Sequence, residues 1–347
     1  MASRTEQLAF AGLQTARVAF YGAHYLAARV LARDHVSTIL QPAHRLPSLA
    51  ATARGIADLF AQDWKNVEAG LYPAPLNILK EIGRATNSIN YLRDMPGVVK
   101  RQKRRGHSEV PQKNNLPRYY RQNFHYQTDG YLSDRSAQIY DFQVEALFAG
   151  TADAMRRRAY VPIAKYLEGR DPAKTTLLDI GAGTGRFLSF VKSVQPELKV
   201  TALDLSAPYL ARAKRALRGK KGASFLEAAA EKIPLPDASV DVAVSIYLFH
   251  ELPPKIRASA AKEIARVLKP GGLFVLADTI QYDDAPGFDG LLDIFPALLH
   301  EPYYASYAKT DLDGLFAPLK HTGDDIAYLT KISTFEKTPT GKRKQPS

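Results

Sequence analysis

A glycine-rich turn set between an apolar run and an amphipathic one constrains this chain more than any other feature. Asp179-Ile180-Gly181-Ala182-Gly183-Thr184-Gly185 follows Leu177 and Leu178 and precedes Arg186-Phe187-Leu188-Ser189-Phe190-Val191, which can continue as a helix. Strand, glycine turn and helix start in that order suit a βαβ unit whose backbone turns tightly and lets a ligand come close. A dinucleotide fingerprint, G-x-G-x-x-G, is the obvious rival reading. Counted from Gly181, its third glycine would fall at Arg186, and the glycines here run G-x-G-x-G. Asp179, two residues before the first glycine, also suits a cationic, phosphate-free ligand better than a pyrophosphate.

Short β-branched runs at 175–180, 199–203, 223–227, 240–246, 272–279 and 325–335 are predicted strands. Helices are predicted near 185–194, 207–217 and 254–268, the last ended by Lys269-Pro270-Gly271-Gly272. This alternation predicts an α/β fold with a doubly wound, mostly parallel sheet, whose ligands sit outside the carboxyl ends of the strands. Asp204 ends the second strand, 19 residues after Gly185. A carboxylate there can accept both protons of a ribose diol, and Leu205 could then cover a base. The competing role for Asp204 is capping the helix that follows, for which Ser206 is better placed.

Residues 160–337 resemble the class I S-adenosyl-L-methionine (SAM)-dependent methyltransferases, and more narrowly the ubiquinone/menaquinone C-methyltransferase branch. The matching stretches are 177–188, 201–213, 229–241 and 267–277. The resemblance implies a Rossmann-like methyltransferase fold with SAM as cofactor. It places Asp179 towards the methionine amine, Gly181 and Gly183 in backbone contact within the turn that Gly185 closes, and Asp204 on the ribose. The branch usually carries Asp-Ala-Glu where this chain has Ala229-Ala230-Glu231, so the first carboxylate is missing. Either backbone groups hold the adenine or Glu231 takes part.

Methyl transfer needs alignment, plus a base where the acceptor carries a proton. Beyond the fourth strand the chain reads Tyr247-Leu248-Phe249-His250-Glu251, and His250 is the candidate base, its alternative being a loop buttress. His300 and Tyr303, in an aromatic cluster after the fifth strand, are candidates for an acceptor wall; aromatic residues also simply pack cores. Neither His250-Glu251 nor His300-Glu301 has the second histidine of H-E-x-x-H, and no metal is expected. A third cluster, 119–131, contains Tyr126 and Tyr131 and leads into a predicted helix over 133–148. Resemblance suggests a lid over the cofactor; the alternative is a packing interface.

Residues 1–155 read as a helical extension or cap, 156–337 as the SAM-binding methyltransferase domain, and 338–347 as a disordered tail. Of the net charge of +12, nine come from residues 1–130, with Lys100, Arg101, Lys103, Arg104 and Arg105 the densest patch. Such a run is usually solvated, yet it can attract nucleic acid or anionic lipid. On a helix over 8–32, Ala9, Leu13, Ala16, Phe20, Ala23, Ala27 and Val30 form an apolar stripe opposite Gln14, Arg17, Tyr21 and His24. Docking of that helix on the protein is the default expectation; peripheral membrane contact and a transit segment are the alternatives. No run reaches the roughly 20 apolar residues that span a bilayer, and the absence of cysteine fits a reducing compartment, so a cytoplasmic location is expected.

The expected function is methyl transfer from SAM to a small organic acceptor, with the extension as lid. Alternatives are RNA or protein methylation, and a non-catalytic SAM-binding protein. No RNA-binding module and no Asn/Asp-Pro-Pro-Tyr-type motif is identifiable, so nucleic acid is the less favoured partner.

Overall fold

The computed structural model describes residues 3–31, 42–77, 83, 86–103, 110 and 116–338. Arg104, Arg105 and the tail from 339 onward lie outside the described residues.

Six helices precede the sheet among the described residues: α1 Arg4–Leu31, α2 Leu49–Glu68, α3 Ser88–Lys103, α4 Asp134–Leu147, α5 Ala152–Arg158 and α6 Tyr160–Leu167. Ser48 and Ser133 cap α2 and α4, each accepting a hydrogen bond from the backbone N–H three residues on. The expected boundary near residue 155 falls inside α5, and Met155 is wholly buried in the core of the sheet.

α1 docks on the protein through the face opposite to its apolar stripe. Gln14, Arg17 and Tyr21 are buried together with Phe10 and Ala28, while Ala9, Ala16, Phe20, Ala23, Ala27 and Val30 are exposed. The stripe is mainly alanine, and each methyl contributes little on burial. The opposite face brings Arg17 within 2.9 Å of the fully buried Glu145 and onto the Gly150 carbonyl, and sets the Tyr21 ring 5.3 Å from Phe142. A buried carboxylate left unpaired would cost more than the alanines return.

The remainder runs β1 Thr176–Ile180, α7 Arg186–Val194, β2 Lys199–Asp204, α8 Ala207–Ala216, β3 Ala223–Glu227, β4 Val240–Ile246, α9 Pro254–Val267, β5 Leu268–Thr279, α10 Asp289–Leu298, α11 Tyr304–Tyr307, α12 Leu312–Phe316, β6 Lys320–Ala327 and β7 Thr330–Glu336. The seven strands lie in the order β3-β2-β1-β4-β5-β7-β6. The first five are parallel, and β7 runs antiparallel between β5 and β6. Side chains alternate between two cores: Leu177, Val242 and Val244 face one, Leu178 and Ala243 the other. Strand order reverses between β1 and β4, which opens a crevice at their carboxyl ends.

Two strand expectations need correction. The single run 325–335 is a hairpin, with Ala327 paired to Thr330 across a two-residue turn in which Tyr328 has φ 59°. The apolar run Ile326–Leu329 passes through the turn without a break, and Tyr328-Leu329 lacks the Asn-Gly or Asp-Gly signature of such turns. β5 starts at Leu268 rather than after the glycines; Lys269–Gly271 form an irregular segment where the register with β4 shifts between Val240 and Val242. No helix among the described residues is long and apolar enough to cross a membrane.

Candidate active site

The turn after β1 is built from three glycines in the left-handed region, with φ of 76° at Gly181, 56° at Gly183 and 74° at Gly185. Gly183 has open space where a Cβ would lie, so its backbone is accessible. Gly185 serves a different end: a Cβ there would come within 2.9 Å of Ala213, so it lets α7 close on α8. Asp204 joins the turns after β1 and β2. Its Oδ2 accepts from Gly183 N–H and its Oδ1 from Ser206 N–H, both at 2.7 Å. Ser206 also caps α8, as its position suggested. Burial pushes the Asp204 carboxyl up to about 6, against these donors. Asp179 is 2% exposed; burial, then the neighbouring Asp204 charge, push it up to about 8 despite Arg156.

Gly181, Gly183, Asp204 and Leu205 share a cavity wall with Ala228, Ala229 and Ala230. Four tyrosines from outside the sheet, Tyr119, Tyr120, Tyr131 and Tyr140, form the facing wall. The free space between them is about 80 Å³, less than the roughly 300 Å³ at which small-molecule sites begin.

A second cavity of about 360 Å³ adjoins the first, and Tyr140, Tyr247 and Glu251 line both. Its walls are largely apolar, from Leu147, Phe148, Leu291, Ile294, Phe295 and Leu298. Ionisable groups His125, His250, Glu251 and Glu301 also line it. His250 Nδ1 lies 2.5 Å from Oδ1 of the fully buried Asp278, whose other oxygen accepts from Phe249 N–H at 2.8 Å. Burial pulls the His250 imidazole down, but Asp278 carries it up to about 9. His125 Nε2 lies 2.6 Å from Glu301 Oε1 and 3.8 Å from Glu251 Oε1, and Tyr131 donates its hydroxyl to that same Glu251 oxygen at 2.5 Å. Burial and then the Glu301 charge push Glu251 up.

Against known proteins, the methyltransferase domain family matches residues 178–276, which hold the glycine turn, Asp204 and β5 up to Leu276. Over these residues the chain is similar to the class I SAM-dependent methyltransferases. The chain is 34% identical over 122 residues to the ubiquinone/menaquinone biosynthesis C-methyltransferase UbiE of Methylobacterium nodulans, covering 34% of this chain and 47% of that protein. It is 36% identical over 113 residues to 2-methyl-6-phytyl-1,4-hydroquinone methyltransferase of Synechocystis sp., covering 33% and 35%. A malonyl-[acyl-carrier protein] O-methyltransferase of Methylococcus capsulatus is 35% identical over 119 residues, covering 34% and 42%. The chain spans 35 to 61% of the length of the curated relatives it first matches. The tyrosine wall and the second cavity draw mostly on residues outside 178–276, the stretch that the family matches.

Several residues singled out in the sequence do not line either of these two cavities. Glu231 is absent from the wall that carries the glycine turn, its Oε1 accepting a 2.6 Å hydrogen bond from the Tyr119 hydroxyl, while Ala229 is present. Tyr126 is buried, donating to the Ala297 carbonyl at 3.0 Å with its ring 5.3 Å from His300. Tyr303 accepts from Gln122 at 2.9 Å. Tyr126, His300 and Tyr303 thus pack 119–131 against α10 and the segment after it. Tyr131 and Tyr247 do line the cavities. Sequence reasoning missed Tyr140, His125, Glu251 and Glu301 as site residues, although each lies in or beside a stretch it had marked. No spacing rule connects positions 125, 140, 251 and 301.

Arg186, where a dinucleotide site would have glycine, has a positive role. Its guanidinium lies 2.7 Å from Glu145 and 2.5 Å from Asp153, and Thr184 donates to Asp141 at 2.7 Å. The glycine turn is therefore tied directly to α4 and α5.

Proposed function

We propose that the chain transfers a methyl group from SAM to a small, largely apolar acceptor with a polar head. The observation that carries this is the junction of the two cavities at Tyr140, Tyr247 and Glu251: one wall carries the glycine turn and Asp204, the other is apolar with ionisable groups at one end. SAM supplies an electrophilic methyl group on a sulfonium. Asp204 holds the ribose, the backbone of Gly181 and Gly183 borders the cofactor, Asp179 balances the methionine amine, and backbone groups at Ala228–Ala230 take the adenine edge that lacks a side-chain carboxylate. The tyrosine wall is a lid, since about 80 Å³ must widen before a nucleoside enters. Asp278 holds His250 by Nδ1, and Nε2 is then the nitrogen His250 can offer the cavity it lines. His250→Ala should slow methyl transfer by about 100-fold, as misplacement does, with SAM affinity unchanged.

The acceptor class is tested by single-turnover reaction of the protein and methyl-labelled SAM with fractionated cell extract. Label is expected in the organic-soluble small-molecule fraction. Label in RNA, with transfer falling steeply as salt rises, or in protein, would replace this reading; no label in any fraction would leave a SAM-binding protein without transferase activity.

SAM affinity should rise with pH between 6 and 8, approaching tenfold per unit at the acid end, because the bound cation displaces a proton from Asp179, which sits at about 8. Calorimetry across that range reads the slope, and Asp179→Asn should flatten it. A flat profile in the unmodified protein would remove Asp179 from the cofactor site.

The outward apolar face of α1, with Leu8, Leu26 and Val30 each more than 60% exposed, lies on the basic part of the chain. It supports contact with an anionic membrane surface from which an apolar acceptor could be drawn. Flotation with phosphatidylglycerol-containing vesicles should carry the protein upward, and Leu26→Glu with Val30→Glu should abolish this; flotation unaffected by the double substitution would exclude α1 as the contact.

A further inference from the structure

We propose that His125, Glu251 and Glu301 form a site for one divalent cation of the first-row transition type, Zn²⁺ or Mn²⁺, at the junction of the two cavities. One donor atom from each of the three residues can be chosen so that all lie within 4.8 Å of one another. The separations of 2.6 and 3.8 Å from His125 Nε2 to the two glutamates straddle the roughly 3.0–3.5 Å between neighbouring ligands when metal bonds are about 2.0–2.2 Å.

Glu301 supplies the independent observation. Its side chain is 2% exposed, it lines the second cavity, and neither carboxylate oxygen takes part in a hydrogen bond among the described residues. His125 Nε2, 2.6 Å from Glu301 Oε1, is the one ionic partner of Glu301 among the described residues. A buried carboxylate normally collects donors, because an ionised one without them is strongly disfavoured. Glu251 and Glu301, when both ionised, set two negative charges beside an apolar wall, which a divalent cation cancels while His125 coordinates as a neutral imidazole. Tyr131, donating to Glu251 at 2.5 Å, is the outer partner that fixes a ligand's orientation. One imidazole with two carboxylates favours a borderline ion over Ca²⁺ or Mg²⁺, which prefer all-oxygen sets. Three protein ligands leave positions open towards the cavity, as in catalytic rather than structural sites.

Cation binding by these residues stands on their geometry alone. That an acceptor oxygen fills an open position rests on the proposed function, and the two are separable.

The test uses the full chain, stripped with chelator and dialysed, then titrated with Zn²⁺ or Mn²⁺ alone. One equivalent should bind, and Co²⁺ in its place should give the visible absorption of a four- or five-coordinate ion. Glu301→Gln and His125→Ala should each weaken binding at least about 10–100-fold, the loss seen when even outer partners of a metal site are removed. SAM binding by both variants, read separately, shows that they are folded. Binding that is not stoichiometric, or that persists in the Glu301→Gln protein, would overturn the site and leave His125–Glu301 as an ion pair. If the metal binds but label transfer from SAM fails, the acceptor reading falls and the cation site stands.

Discussion

Glu145→Ala is expected to lower unfolding free energy by about 3–5 kcal/mol, the cost of breaking a buried ion pair from one side. Glu145 is fully buried in α4 and lies 2.9 Å from Arg17 of α1 and 2.7 Å from Arg186 at the start of α7. Both guanidiniums are at most 10% exposed, so the truncation leaves two cations leaning on Asp153. Arg186 also follows the glycine turn directly, so SAM binding should weaken together with stability. Urea denaturation with and without SAM measures both effects. Glu145→Gln, which keeps an acceptor, should cost less; an unchanged midpoint in the alanine variant would show that the network contributes nothing.

Asp204→Ala should weaken SAM binding by about 3 kcal/mol, more than 100-fold, since it removes the acceptor for two charge-assisted hydrogen bonds of roughly 1.5–3 kcal/mol each. The same change frees Gly183 N–H and Ser206 N–H, which now converge on the carboxylate at 2.7 Å. Asp204→Asn separates the two consequences: one oxygen can still accept from the backbone, so the turn should hold while the ribose contact weakens. Calorimetric titration with SAM gives the affinities. Equal affinity in unmodified and alanine proteins would move the ribose elsewhere.

The parts of the fold legible in the sequence were those specified locally. The five parallel strands and α7, α8 and α9 fall within a few residues of expectation, because alternation, glycines with positive φ and caps such as Ser206 act over a handful of positions. The β6–β7 turn was illegible, since Tyr328 takes a left-handed conformation without the residue types that advertise one. The face of α1 was misread for another reason. Hydrophobic patterning weighs methyl groups, whereas the helix is oriented by Arg17, whose partner Glu145 lies 128 residues away in the chain. Glu231 accepts from the Tyr119 hydroxyl, a partner no local pattern indicates.

The glycine turn with Asp179 and Asp204 was determined by sequence alone: a class I SAM fold demands particular backbone conformations at contiguous positions, and few residue types satisfy them. What faces that turn was decided only by tertiary structure. His125 with Tyr131, Tyr140, the adjacent His250 and Glu251, and Glu301 come from four separate stretches of the chain, and no spacing constrains how those stretches meet. Their meeting depends on how the helices before β1 pack on the carboxyl edge of the sheet, through contacts such as Arg186 to Glu145 and Thr184 to Asp141. Buried charge pairing sets that packing, and it acts between residues distant in sequence, where periodicity carries no information.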